Sequence, residues 1–487
     1  MAKYSFRLEP LDHQREYYRE CRDFDDWALF WAPGLGKSKA AIDNISYLFV
    51  TKKIDCVVYI AKKGEYGNFI EDQVPQHLWD GIAWLGEDFK SVRNKEEQWL
   101  LDNILKAKKE PTLRILSVNV ESIPYQGAEV IKKFMASAEH GVMFITDEAT
   151  CIKNPKAKRS KKVYALSQMA TYRRIMTGTP ITRSPTDIWG ECQALKPGLL
   201  GHNSFYSFKG AYCIEEKQYI VRAGKRISFD VITGYKNLDK LKHRIRGFSS
   251  VRTAEECLDL PPKVYRRIRV PMTAEQQKAY SEMAEFAMTQ FGDGQIKDVT
   301  SVMGLFMSLH QIAIGQLKMG EGLPPKRLES NRFDYMFEKY EDLDDKAIIW
   351  CHYRDSLDRL VAEAEQRFGA GCVARYYGGV DDEERQWGLK EFKNPDSQVR
   401  FFISNPQSGG YGLTMTIARI TEYFANSHNL EHRLQSEDRN MRIGQTGSVL
   451  YNDYYCAGTV EERIIDCLRL KKVIGHEVMG TRITDWI

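Results

Sequence analysis

The chain has 487 residues, 43% hydrophobic and 28% charged, proportions of a globular polypeptide that exclude a disordered one, at a length enough for roughly two to four domains. Its 70 basic and 66 acidic side chains leave a formal charge of only +4, so overall charge announces no nucleic-acid partner. Ten cysteines, from Cys21 to Cys467, include no C-x-x-C pair, which excludes a zinc knuckle or a disulfide framework and suits buried thiols in a reducing, intracellular protein. The opening "MAKYSFRLEPLDHQ" lacks the apolar centre of a signal peptide, and no run approaches the roughly 18 apolar residues of a membrane span. Neither secretion nor a membrane partner is expected.

From the N-terminus, "LFWAP" (29–33) predicts a short strand edge and "SKAAIDNISYLF" (38–49) a helix, with "GLGKS" (34–38) between them. A strict G-x-x-x-x-G-K-[ST] phosphate loop would carry glycine at position 31, where Trp31 stands. Gly34, Gly36, Lys37 and Ser38 still supply its working parts: backbone N–H groups that turn around a phosphate, a lysine that neutralises charge and a hydroxyl for magnesium. By itself the string fits either a phosphate loop or a simple glycine turn.

Apolar runs then recur at "CVVYI" (56–60), "RILSV" (114–118), "VMFIT" (142–146), "AIIWC" (347–351), "RFFIS" (400–404) and "ITEYF" (420–424). Their length and composition suit strands buried on both faces. Longer helical patterns alternate with them, which predicts an α/β fold of parallel sheets with helices on both sides. Between the two groups of strands, "TAEQQKAYSEMAEFAMTQF" (273–291) and "SVMGLFMSLHQIAIGQL" (301–317) carry apolar residues at helical spacing. The glycines and prolines of "MGEGLPPKRLESN" (319–331) mark a boundary. The expected division is a first lobe over 1–272, a helical protrusion and linker over 273–325, and a second lobe over 326–487. No β-hairpin wedge and no nuclease constellation is legible.

"VMFITDEAT" ends an apolar strand in Asp147 and Glu148. A carboxylate placed there can hold magnesium while its neighbour polarises an attacking water, the division of labour phosphoryl transfer needs. In "KNPKAKRSKK" (153–162), six of ten positions are Lys or Arg, a local field that fits either a solvated face or a phosphate contact. "HNLEH" (428–432) matches the inverted zinc-protease pattern, yet no second paired motif supports a zinc hydrolase.

Taken in order, "PLDHQ" (10–14), "GLGKS", "DEAT" with "IKNP", "MTGTPI" (176–181), "LPPK" (260–263), "SGGYGLTMTIA" (408–418), "QSEDRNMRIGQT" (435–446) and "GTVEERI" (458–464) resemble the Swi/Snf-type branch of superfamily-two helicase-like ATPases along nearly the whole chain. That resemblance implies two RecA-like lobes joined by a helical segment, with ATP and Mg2+ as substrate and cofactor. On these residues it implies that Gln14 reads the adenine, that Gly34, Gly36, Lys37 and Ser38 hold the phosphates, and that Ser38 and Asp147 hold the metal. Glu148 is then the catalytic base, and Thr177 and Thr179 couple nucleotide state to lobe movement. Gln435, Arg439 and Arg442 come from the second lobe, the two arginines acting as fingers on the γ-phosphate. Their spacing of three puts both arginines on one face of a predicted helix.

Resemblance also places DNA contacts in the first lobe at Lys62, Lys63, Asn119, Lys153 and Asn154. In the second lobe it places them at His352, Tyr353, Arg354, Arg385, Gly410, Gly412 and Thr414. Such contacts go mostly to phosphates and carry no sequence readout.

Trp31 and Ala32 replace the acidic pair usual in the family and Pro33 a methionine, so Trp31 is expected to pack under the loop or line the nucleoside side. Long insertions and tails of chromatin remodellers are absent, which suggests a minimal bacterial or phage motor, monomeric, cytoplasmic and nucleoid-associated, with room for a recruiting protein. The expected activity is ATP-dependent translocation along double-stranded DNA that remodels DNA–protein complexes without extensive strand separation. Its alternatives are a fork-remodelling or strand-annealing motor and, from another class, a non-hydrolysing nucleic-acid clamp.

Overall fold

A computed structural model describes residues 4–63, 65–91, 102–105, 112–222, 225–291, 299–319, 324–407 and 413–479. Contacts divide the chain into two units. The first holds residues 1–213, 235–259 and 474–482, and the second holds 214–234, 260–473 and 483–487.

In the first unit, strands β1 (Asp26–Trp31), β2 (Cys56–Ala61), β3 (Ala83–Phe89), β4 (Thr112–Asn119), β5 (Val142–Thr146), β6 (Tyr172–Met176) and β9 (Ser249–Arg252) form one sheet in the order β3-β4-β2-β5-β6-β1-β9. Every pairing in it is parallel. Two apolar cores cover its faces, one around Val58, Leu116, Phe144 and Ile188, the other around Leu29, Trp31, Ile42, Val57 and Ile145. Alternate residues of β2 and β5 thus feed opposite cores, which is why both read as unbroken apolar runs.

The second unit repeats this plan. Strands β10 (Lys263–Arg269), β13 (Ala347–Trp350), β14 (Val373–Tyr376), β15 (Phe401–Ser404), β16 (Ile420–Tyr423) and β17 (Val449–Tyr455) lie in the order β10-β17-β16-β13-β15-β14, all parallel. Helices Ala274–Phe291 and Val299–Ala313 follow β10, and the two-residue strands β11 (Gln316–Leu317) and β12 (Lys326–Arg327) pair beyond them. These are two RecA-like lobes of parallel sheet flanked by helices; the helical segment expected to join them follows β10 and so lies within the second unit. Among the described residues no helix is long and apolar enough to cross a membrane.

Two further expectations change. The division expected at residue 272 falls earlier, because β10 pairs along its whole length with β17 and so belongs to the second sheet. A β-hairpin is present after all: β7 (Cys213–Arg222) and β8 (Lys225–Tyr235) form a two-stranded sheet separate from both large ones. Charged residues interrupt its apolar positions, so it offers neither a continuous run nor a clean alternation to read.

Candidate nucleotide site and nucleic-acid surface

Parallel sheets present their ligand-binding loops at the carboxyl ends of their strands. In the first sheet β5, β6 and β1 are consecutive neighbours. The residues after them are Asp147–Glu148, Thr177–Gly178–Thr179 and the glycine loop, so sheet order alone brings three motifs to one edge.

The loop opens helix α2 (Lys37–Val50), with Gly36 as its N-cap at φ +72° and Gly34 at φ +81°. Gly36 is required twice over: its backbone is left-handed, and a Cβ there would stand 2.2 Å from Gln14 Nε2. N–H groups at the start of a 14-residue helix are then open to receive an anion. Gln14, in helix α1 (Asp12–Cys21), is buried. Its amide donates to the carbonyl of Leu35 at 3.1 Å, and its Oε1 accepts from Leu11 N at 3.0 Å. His13 Nε2 meets the same Leu35 carbonyl at 2.8 Å. The side chain expected to read adenine here braces the phosphate loop. Lys37 Nζ donates to the Trp31 carbonyl at 3.0 Å.

Trp31 is fully buried, its indole N–H donating to Ser250 Oγ at 2.8 Å and its ring edge-on to His13 and Tyr17. Its ring packs in the apolar core between helix α1 and β9, the strand that carries Ser250.

Asp147 continues β5, its N–H bonded to Ile60 O at 2.8 Å, and its carboxylate accepts from Tyr59 Oη and from Glu148 N. Glu148 adopts a left-handed backbone, φ +43° and ψ +58°, a strained conformation for a residue with a Cβ that is commonest at functional turns. Its carboxylate accepts from Thr177 Oγ1 at 3.4 Å, and Thr177 Oγ1 in turn accepts from Thr179 N at 3.2 Å. Gly178 lies against Pro33, where a Cβ would approach Pro33 Cδ to 2.6 Å. Carboxylates, threonines and phosphate loop thus form one connected structure. Sequence reasoning missed His13 and Tyr59 because both lie inside segments that read simply as helix or buried strand.

In the second unit the helix Leu430–Glu437 carries buried Gln435 and stops before the arginines. The expectation that Arg439 and Arg442 share a helix face is therefore corrected: both lie in the turns after it. Each arginine instead replaces a missing helical donor. Arg439 Nε donates to Gln435 O and Arg442 Nε to Asp438 O, each four residues back, satisfying carbonyls that a helix end leaves open. Arg439 also reaches Leu413 O at 3.2 Å, and Arg442 reaches Thr414 Oγ1 at 3.2 Å. Burial pushes the Arg442 pKa down, with Asp438 opposing it.

The helix itself is fixed by buried ions. Arg433 bonds Glu437 and Asp453, while Tyr265 Oη donates to Glu437 at 2.7 Å and Lys263 approaches it at 3.5 Å. Those cations hold the Glu437 carboxyl down at about 2 against its desolvation.

Residues expected on nucleic acid follow neighbouring strands too, Lys62 and Lys63 after β2, Asn119 at the end of β4 and Lys153 beyond β5. Lys63 and Asn154 are exposed, and Lys62 is half-buried. Asn119, by contrast, is buried and caps the turn by accepting from Glu121 N, and Lys153 Nζ donates to Thr182 Oγ1 at 2.9 Å. After β13, Tyr353 Oη meets His310 Nδ1 at 2.9 Å, and beyond β14 Arg385 bonds Val380 O and Asp382. Gly410 and Gly412 lie outside the described residues. His428 and His432 flank the start of the helix Leu430–Glu437, whose N-cap is Asn429.

Residues 82–315 match the family model described as SNF2-related domain, and residues 332–444 that described as Helicase conserved C-terminal domain. The TATA-binding protein-associated factor MOT1 of Saccharomyces cerevisiae is 24% identical over 69% of this chain and 20% of its own length. The DNA annealing helicase and endonuclease ZRANB3 of Mus musculus is 28% identical over 69% and 30%. The putative ATP-dependent helicase/translocase YwqA of Bacillus subtilis is 24% identical over 70% and 36%. The chain thus spans between a fifth and about a third of these relatives. A solved Sulfolobus solfataricus SWI2/SNF2 ATPase core in complex with dsDNA is 22% identical, covers 99% of both chains and superposes with a TM-score of 0.41.

Proposed function

The chain belongs to the SNF2-related, helicase-like ATPases, and from that premise we propose that it hydrolyses ATP, is stimulated by double-stranded DNA, and uses the cycle to translocate and remodel DNA–protein complexes. One observation carries the reading: Glu148, after β5, and Thr177, after β6, are hydrogen-bonded at the carboxyl edge of the sheet, where β6 neighbours β1, the strand that leads into the glycine loop.

In this reading Gly34, Gly36 and Lys37 hold the phosphates, with Lys37 exchanging the Trp31 carbonyl for a phosphate oxygen. The residue types fit magnesium at Ser38 and Asp147, a hydroxyl and a carboxylate with Tyr59 fixing the latter; the bound ion would neutralise phosphate charge. Glu148 accepts a proton from the attacking water. Thr177, bonded to that carboxylate, reports its state to Thr179. Gln435 orients and Arg439 and Arg442 neutralise the transferring phosphoryl group. Lys62, Lys63 and Asn154 bind the DNA backbone.

Turnover measured without DNA, with single strands, with blunt duplex and with forked duplex tests this. Duplex is expected to raise the rate, and Glu148→Gln to lower it by roughly 10²- to 10⁴-fold, with Lys37→Ala also inactive. An unstimulated rate, or a wild-type rate in both variants, rejects the mechanism. The separate β7–β8 hairpin supports a second reading, a fork-remodelling motor, which predicts greater stimulation by forked than by blunt DNA.

A further inference from the structure

Tyr125 is the most exposed large hydrophobic side chain among the described residues, at 77%. It sits in the turn Ile123–Gly127, whose two ends are buried, and its backbone (φ −111°, ψ −118°) breaks the helical course on either side. The turn is thereby pinned into the core with one aromatic ring left outside.

Basic residues surround its base. The turn packs on the helix Lys158–Ser167, where Lys162 Nζ donates to Pro124 O at 2.9 Å, immediately before Tyr125. Lys156, Lys158 and Lys161 are exposed. Nearby acids are already engaged, Glu121 by Arg159 and Glu129 by Lys132 at 2.9 Å. Lys158 and Arg159 occupy the first turn of a helix with no acid there and no side-chain cap. Cations at that end oppose the helix dipole, so an anion laid across them is favoured twice.

An exposed ring beside a phosphate-binding face is the composition of a stacking platform for single strands. We propose that Tyr125 stacks on an unpaired base of a nucleic-acid strand whose phosphates lie on Lys156, Lys158 and Lys161. This rests on the nucleic-acid reading above and specifies the substrate class: DNA with a gap, fork or single-stranded arm. A continuous duplex offers phosphates to the lysines but no free base face to the ring.

The test uses the full chain with blunt duplex and with the same duplex carrying a short gap that contains 2-aminopurine. Wild type is expected to prefer the gapped DNA and to change the 2-aminopurine fluorescence on binding. Tyr125→Ala should lose roughly ten- to hundred-fold affinity for gapped DNA, keep its affinity for blunt duplex and lose the fluorescence change. Tyr125→Phe, which retains the ring, should behave as wild type, and thermal melting of each variant checks that the fold survives. Equal losses on both DNAs, or no loss on either, overturn the stacking role while leaving DNA binding standing. A wild-type protein that binds neither DNA overturns both readings.

Discussion

Trp31 occupies a glycine position of the strict phosphate-loop pattern without disturbing the loop because the backbone there is strand, not turn. It is the last residue of β1, and the left-handed conformations fall at Gly34 and Gly36. Its ring fills space between α1 and β9, touching the helix that carries Gln14 and His13. Trp31→Ala is therefore expected to cost about 3–5 kcal/mol of stability, and Trp31→Phe less, with ATP affinity unchanged in the Phe variant. Trp31→Asp buries a carboxylate and is expected to fail to fold. Denaturant titration with nucleotide binding on the surviving variants checks this. A stable Asp variant with altered ATP affinity would return Trp31 to the nucleoside side.

A buried ion pair anchors the closing helix Val460–Met479. Both Nη atoms of Arg332, itself wholly buried, donate to the Glu461 carboxylate, at 2.8 and 2.5 Å, and Cys456 N donates to it at 2.8 Å. Breaking such a pair strands a buried charge, so Glu461→Ala is expected to cost about 3–5 kcal/mol, and Arg332→Met with Glu461→Leu together to recover much of that loss. Arg332 also lowers the Glu461 carboxyl from 4.5 to about 2. A carboxyl more acidic in the folded state stabilises it above its unfolded pKa. That contribution is lost as pH falls from about 4.5 to about 2, at up to about 1.4 kcal/mol per pH unit for each such group. Acid unfolding of Glu461→Gln should be flatter through that window, and an unchanged profile rejects the assignment. The same physics shows why some elements were legible and others were not. Strands β2, β4, β5, β13, β15 and β16 announce themselves as apolar runs. Strand β6, "YRRIM", hides behind Arg174, which is 1% exposed and bonded to Tyr17, Asn44, Phe24 O and Asp25 O. Satisfied buried charge reads in a sequence as surface.

Across the whole molecule two sheets follow the same plan, but while Gln435, Arg439 and Arg442 of the second unit sit on and after the helix Leu430–Glu437, the first sheet sets its motif residues at strand ends. Motif residues are legible there because phosphate chemistry restricts which side chains can serve, whereas the partners that aim them are not. Tyr59 against Asp147 and His13 against Leu35 come from elements remote in sequence, brought in by sheet order and helix packing. For the arginines, sequence supplied residues and spacing, but the turn that displays them depends on where the helix Leu430–Glu437 stops. Arg442 offers the sharpest test of whether the second unit takes part in the chemistry. Its guanidinium is partly buried, held by Asp438 O and Thr414 Oγ1, and its pKa is pushed down by desolvation. A cation kept at that cost gains most from an anion that arrives during the cycle. Acting on the transferring phosphoryl group, it should contribute about 10³- to 10⁵-fold to turnover. Arg442→Ala is therefore expected to lose hydrolysis while retaining binding of a fluorescent ATP analogue, since Gly36 and Lys37 lie in the first unit. Single-turnover hydrolysis beside equilibrium binding separates the outcomes: a wild-type rate removes Arg442 from the mechanism, and a parallel loss of binding makes it a ground-state contact rather than a finger.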